Sequence, residues 1–177
     1  MPSKPETYIS VDIEASGPIP GDFSLLSIGA CVVNQTSQTF YAELKPLNDN
    51  FITRAMEVNG LSLEKLKTVG QTPAAAMTRF SGWIQKVSGQ NRPVFVGFNA
   101  TFDWSFTHWY FIKFFGRDPF GISGLDIKAY FMGRQNCSWG ETNKKKVRSL
   151  YPSKTNHTHN ALDDAQEQAE IFSQMLK

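Results

Sequence analysis

The chain has 177 residues, 19% charged and 41% hydrophobic, a composition that excludes wholesale disorder and predicts one domain, residues 1–177, with a substantial core. Its two cysteines, Cys31 and Cys137, make neither a disulfide framework nor a CxxC zinc element, and no run reaches the ~18 apolar residues that span a bilayer, so a cytoplasmic protein without membrane association is expected. Net charge is only +2, yet residues 133–159 carry a local +5 and the remainder −3, which places any phosphate-binding footprint in that segment.

Residues 1–7 are expected to be a flexible N-terminus. In the stretch from Tyr8 to Gly17, Ile9, Val11 and Ile13 alternate with Ser10, Asp12 and Glu14, the two-residue period of a strand. Asp12 and Glu14 therefore point to the same side, roughly 6 to 7 Å apart between Cα atoms. Two anions so placed repel unless a cation lies between them, and the spacing suits a shared divalent ion. An edge strand with a solvated acidic face fits the same pattern.

Leu25–Val33 reads as a buried strand, Asn34–Ser37 as a polar turn, and Thr39–Leu44 as the second arm of a hairpin beside the first strand. A short helix is predicted near Thr53–Val58 and another opening at Ser62. A longer one has Thr72 as N-cap and Pro73 at its first position, and stops near Gly89. Val94–Phe98 is a continuous apolar run, hence a central strand. It leads through Asn99 into an aromatic helix to about Phe115. There Asp103 shares the buried face with Phe106, Tyr110 and Phe114. A carboxylate on that face needs a partner, or else interacts with its own helix dipole.

Ile122–Ile127 suggests a last strand, with Asp126 as N-cap of the helix that follows rather than as a metal ligand. Gly133–Trp139 reads as loop, Asn143–Leu150 as a short basic helix, and Ser153–His159 as a polar loop. His108, beside Trp104, Ile112 and Phe115, is expected to be packed. The final helix starts at the N-cap Asn160 and carries the apolar stripe Ala161, Ala165, Ala169 and Phe172. Asp163 aligns with Glu167, Glu170 and Gln174, an all-polar face expected to be solvated. Asp164 aligns with Gln168, Ile171 and Met175 at the border of the stripe, so it faces the sheet and is the candidate ligand.

Strand-borne Asp12 and Glu14, helix-borne Asp103 and Asp164, and loop-borne His159 form one ordered set. Here the sequence resembles the DEDDh (DnaQ-like) 3′→5′ exonucleases of the RNase H-like superfamily. Asp12-Ile13-Glu14-Ala15-Ser16-Gly17 resembles the family's first motif, Asn99-Ala100-Thr101-Phe102-Asp103 its second, and His159-Asn160-Ala161-Leu162-Asp163-Asp164-Ala165 its third, of HxAxxDA form. Glu57-Val58-Asn59-Gly60-Leu61-Ser62 is similar to its V-H-G-I-T element with Asn for His. The resemblance spans Tyr8 to Met175. Each motif is weak alone, but three in order are specific.

The resemblance implies an α/β fold, a mixed five-stranded sheet with three antiparallel strands followed by parallel ones, flanked by helices. It implies Asp12, Glu14, Asp103 and Asp164 as ligands of two metal ions, Mg²⁺ or Mn²⁺, and His159 as general base. The implied reaction is stepwise hydrolysis of single-stranded DNA or RNA from its 3′ end, releasing nucleoside 5′-monophosphates. His157 matches no motif and is expected to be solvated. Ala15, Ser16 and Asn99, within the motifs, and Lys144, Lys145, Lys146 and Arg148, in the basic segment, are the expected nucleic-acid contacts. Trp139, Phe23 or Phe102 could stack a base. An oligoribonuclease-like homodimer acting on short RNA is the alternative within the enzyme class, and a polymerase or other nucleic-acid-processing partner is open. A catalytically silent binding module is the alternative from another class, and the presence of all five catalytic residue types counts against it.

Overall fold

The computed structural model describes residues 4–155 and 158–177. Its frame is one mixed sheet of five strands: β1 (Glu6–Ala15), β2 (Leu25–Val32), β3 (Gln35–Glu43), β4 (Arg92–Gly97) and β5 (Gly124–Asp126). The spatial order is β3-β2-β1-β4-β5. β1 to β3 pair antiparallel, while β4 and β5 run parallel to β1. This is the RNase H-like arrangement expected from the sequence.

The helices are α1 (Thr53–Asn59), α2 (Leu63–Val69), α3 (Pro73–Ser88), α4 (Ala100–Phe115), α5 (Ile127–Gln135), α6 (Lys144–Leu150) and α7 (Ala161–Met175), with a 3₁₀ turn at Trp139–Thr142. Alternation along β1 divides the core in two. Ile9, Val11 and Ile13 pack with Met77, Phe80 and Ile84 of α3 and Phe106, Tyr110 and Phe111 of α4. On the other side, Cys31 of β2 and Val96 of β4 pack with Ile127 and Phe131 of α5, Val147 of α6, and Ala169, Phe172 and Met175 of α7. Asp12 and Glu14 stand on this second side, under the first turns of α7. No helix among the described residues is long and apolar enough to cross a membrane.

Several boundaries differ from the sequence reading: the expected last strand Ile122–Ile127 is only Gly124–Asp126, with Ile127 opening α5, and three other shifts arise because hydrogen bonding extends an element. Glu6 and Thr7 belong to β1 and not to a flexible tail, since they pair with Arg92 and Pro93 of β4. The first hairpin closes through a two-residue turn at Val33 and Asn34, so Gln35–Gln38 join β3. The expected loop from Gly133 is helical to Gln135. It re-enters helical geometry at a capping box in which Ser138 N and Oγ both donate to Glu141 Oε2, at 2.9 and 2.8 Å.

One close approach fixes how α7 meets the sheet. Gly29 lies opposite Asp12 in the β1–β2 register, and a Cβ added there would stand 2.2 Å from the backbone of Ala161 and Leu162. Only hydrogen at this position lets the start of α7 rest on β2. Gly29→Ala is expected to lower stability by about 1–3 kcal/mol through overpacking against backbone, measured as a reduced urea midpoint. An unchanged midpoint would show that α7 seats without this contact.

Candidate active site

β1 delivers the first two carboxylates by strand geometry, Asp12 and Glu14 being two residues apart on one face. Its register slips immediately afterwards, between Glu14 and Ala15, where pairing with β2 ends. The third arrives through a sharp turn. Asn99, at φ +66°, joins β4 to α4, and Asp103 on the first turns of α4 is buried. Its Oδ1 accepts from Ile13 N at 3.0 Å, which pins α4 to the strand between the first two carboxylates. The fourth, Asp164, is buried beneath the start of α7. It accepts from Thr158 N at 2.9 Å and from His159 N at 3.1 Å. Asn160 caps α7, accepting from Leu162 N and Asp163 N, as its position predicts.

Ligand atoms of Glu14, His159 and Asp164 all lie within 4.8 Å of one another. The electrostatics bring in the other two carboxylates. Burial holds the Asp12 carboxyl well above its ordinary range, reinforced by the charges of Asp103, Asp164 and Glu14 and opposed by Lys144. Burial, then Asp164 and Asp103, push Glu14 up to about 8. Burial also raises Asp103 to about 7, against the stabilising hydrogen bond from Ile13. A set of hard oxygen donors that resists ionising together fits divalent cations, whose charge offsets the repulsion.

Gln168 was not singled out by any motif. It donates from Nε2 to Asp12 Oδ1 at 2.5 Å and accepts from Phe98 N on Oε1 at 2.9 Å. One amide thus orients a carboxylate and ties α7 to the end of β4. Its signal in the sequence is a polar side chain four residues after Asp164 on a face that burial otherwise makes apolar. Asp126 is the N-cap expected, accepting from Ala129 N at 2.9 Å, and its second oxygen accepts from Ala100 N at 2.6 Å. His108 is packed as expected, stacked on Trp104 and paired through Nδ1 with Asp118 at 2.7 Å.

The expected nucleic-acid contacts divide. Asn99 is exposed and Ala15 lines a cavity of about 390 Å³ beside Glu14, together with Ile52, Arg54, Ala55, Val58 and Phe102. Ser16 is a correction: it is fully buried, its Oγ donating to Asn50 O at 2.8 Å and accepting from Ser24 N at 2.9 Å. Its hydroxyl joins the loops at Ser24 and Asn50. Lys145 and Lys146 are exposed. Lys144 and Arg148 instead grip Glu167, at 2.9 and 2.7 Å, so these two secure α6 to α7. His157 lies outside the described residues.

Glu167 also corrects the expectation of a solvated face on α7, being completely buried. Residues from Lys144 to Thr155, and Thr158, bond to that face. Thr158 Oγ1 donates to Asp163 at 2.9 Å, Ser153 Oγ to Glu170 at 2.7 Å, and Gln174 donates to Pro152 O at 2.7 Å.

A carboxylate-lined end of a mixed sheet, with helices crossing both sides, defines an RNase H-like nuclease, and comparison with known proteins agrees. The family described as "Exonuclease" matches residues 9–172. The 3′-5′ DNA exonuclease Cap18 of Escherichia coli is 48% identical over 173 residues, covering 97% of this chain and 92% of that protein. Among solved structures, the nuclease domain of 3′hExo, a DEDDh family member bound to rAMP, superposes with a TM-score of 0.76 at 14% identity, covering 96% of this chain and 91% of that one. E. coli Exonuclease I in complex with a dT13 oligonucleotide gives a TM-score of 0.70 at 16% identity, over 96% of this chain and 40% of that one. The chain belongs to the exonuclease family, as a DnaQ-like 3′→5′ exonuclease of the DEDDh type.

The raised carboxyls set a pH dependence for the metal-free protein. Above the ordinary carboxyl range, folded Glu14, up to about pH 8, and folded Asp103, up to about pH 7, hold protons that the unfolded chain releases. Stability therefore falls as pH rises through that window. Thermal unfolding in chelator is expected to show a melting temperature that declines from pH 5 to pH 8. Added Mn²⁺ is expected to restore it, by more at pH 8 than at pH 5, because the ligands must be deprotonated to bind. A flat profile in chelator, indifferent to Mn²⁺, would contradict this.

Proposed function

We propose that the chain shortens single-stranded DNA from its 3′ end, releasing nucleoside 5′-monophosphates, with Asp12, Glu14, Asp103 and Asp164 holding two divalent cations, Mg²⁺ or Mn²⁺, and His159 as general base. The observation that carries this reading is the gathering of four carboxylates from β1, α4 and α7 about one point, with the His159 ring within 4.8 Å of Glu14 and Asp164 ligand atoms. When bound, the cations would supply Lewis-acid stabilisation to the attacking water oxygen and the leaving 3′ oxygen.

The chain's own residues supply the rest. His159 takes the proton of the attacking water, a task suited to the side chain whose charge changes near neutral pH. The water oxygen bonds to phosphorus as the P–O3′ bond breaks, and the 3′ oxygen leaves on the shortened strand, taking up a proton from solvent to become its new 3′ hydroxyl. The cavity beside Glu14, walled by Ile52, Ala55, Val58 and Phe102, seats the terminal base by apolar contact and stacking. Exposed Lys145 and Lys146 contact phosphates of the strand.

DNA as substrate is supported by the name of the E. coli relative at 48% identity. A single strand is supported by the oligonucleotide bound to the structurally similar Exonuclease I. The test is digestion of matched 5′-labelled DNA and RNA with Mg²⁺, Mn²⁺ or chelator. The expected result is a metal-dependent ladder on DNA shortening from the 3′ end, abolished by Asp12→Ala and slowed about 10²- to 10⁴-fold by His159→Ala. Faster cutting of RNA would overturn the substrate assignment, and full activity of His159→Ala would overturn its role as base.

A further inference from the structure

The parallel strands β1, β4 and β5 all run toward the carboxylate end of the sheet. Val96 of β4 pairs with Ser10 of β1, and Gly97 pairs with Asp126 of β5. Asp126 therefore stands level with Val11, two strand spacings or about 10 Å from it. Two residues later, Lys128 lies in the first turn of α5. Since α5, α6 and α7 pack on the side of the sheet that carries Asp12 and Glu14, this turn borders the site.

Two aromatic rings line that border, each with a lysine over it. Lys144 Nζ lies 5.6 Å from the centre of the Phe98 ring, and Lys128 Nζ lies 4.1 Å from that of Trp139. Phe98 adjoins the carboxylates, because its N–H donates to the same Gln168 that holds Asp12. Trp139 is on the β5 side of it. Its side chain is 51% exposed, whereas tryptophan is highly buried on average. Its backbone is nevertheless fixed: the Ser138–Glu141 capping box closes the 3₁₀ turn, and buried Thr142 donates from Oγ1 to Trp139 O at 2.7 Å. A ring held on one face by an ammonium, with half its surface open, has the other face to offer to a base. Exposed Lys145 and Lys146 follow within seven residues, and they complement a phosphate backbone in charge.

We propose that Trp139 stacks a base of the substrate strand on the 5′ side of the scissile bond, with Lys128 holding the ring and Lys145 and Lys146 meeting the neighbouring phosphates. The cavity beside Glu14 takes the terminal base, so this second contact serves only strands longer than a dinucleotide. The inference rests on the reading of single-stranded DNA as substrate.

The test compares Trp139→Leu, which keeps apolar bulk without a ring face, with Trp139→Phe, which keeps the face. Binding of a 5′-fluorescent twelve-nucleotide oligothymidylate is followed by anisotropy in Mg²⁺, each variant being placed in an Asp12→Ala background to prevent cutting. In the cutting-competent background, kcat/KM is measured on that strand and on the thymidylate dinucleotide. Trp139→Leu is expected to weaken binding of the long strand about tenfold and to reduce the kcat/KM ratio of long to short by a similar factor. Trp139→Phe is expected to stay within about threefold of wild type in both. General damage to the fold would lower both kcat/KM values together and leave their ratio alone. Unchanged binding in Trp139→Leu, an unchanged ratio, or equal losses in the two variants would overturn the inference and leave the substrate reading in place. Wild-type protein that leaves the long strand intact would overturn both.

Discussion

Mutual repulsion among buried carboxylates is the constraint around which this fold is arranged. Each anion brought to the end of β1 makes the others harder to ionise, and burial weakens the screening that water would provide. Asp12, Glu14 and Asp103 all have raised carboxyls, through burial first, with the charges of neighbouring site carboxylates adding to the rise at Asp12 and Glu14. Three of the four carboxylates are tied by hydrogen bonds to other parts of the fold. Ile13 N holds Asp103, Gln168 holds Asp12, and the backbone of Thr158 and His159 holds Asp164. Gly29 removes the one side chain that would keep α7 away from β2. The result is an acidic site whose repulsion a divalent cation would offset.

α7 serves this site with both of its faces. Its apolar stripe builds the second core, and Asp164 and Gln168 leave that side toward the carboxylates. Its polar row binds the chain's own basic and loop segments. Glu167 is fully buried beneath Lys144 and Arg148, so much of the charge in the basic segment is committed to holding α6 in place. A buried carboxylate between two cations is a stringent arrangement, because removing either partner strands a charge away from water. Lys145 and Lys146, on the outer side of α6, remain directed to solvent.

Most of the fold was legible because its elements have clear periods and caps. Thr72 and Pro73 start α3, Asn160 starts α7, and Asp126 caps α5. The carboxylates were legible for the same reason: strand alternation aims Asp12 and Glu14 together, and helical spacing separates Asp164 from Asp163. What periodicity cannot read is the identity of the neighbour. The row Asp163, Glu167, Glu170, Gln174 looks solvated on a helical wheel, and only tertiary structure shows that Lys144, Arg148, Ser153, Thr155 and Thr158 bond to it. Ser16 is a similar case. It stands inside a functional motif, yet its hydroxyl closes a loop between Ser24 and Asn50. Gln168 was missed because a glutamine has no motif of its own, and its role depends on Asp12 being 156 residues away in the chain and 2.5 Å away in space.

The site as a cation centre is tested most directly by calorimetric titration of Mn²⁺ into the protein at pH 8, with a nucleoside 5′-monophosphate present, beside Asp164→Asn. Four carboxylates acting together predict two ions bound per chain, with at least one lost when Asp164 loses its charge. Absence of Mn²⁺ uptake by the folded protein, or uptake unchanged in Asp164→Asn, would contradict that arrangement.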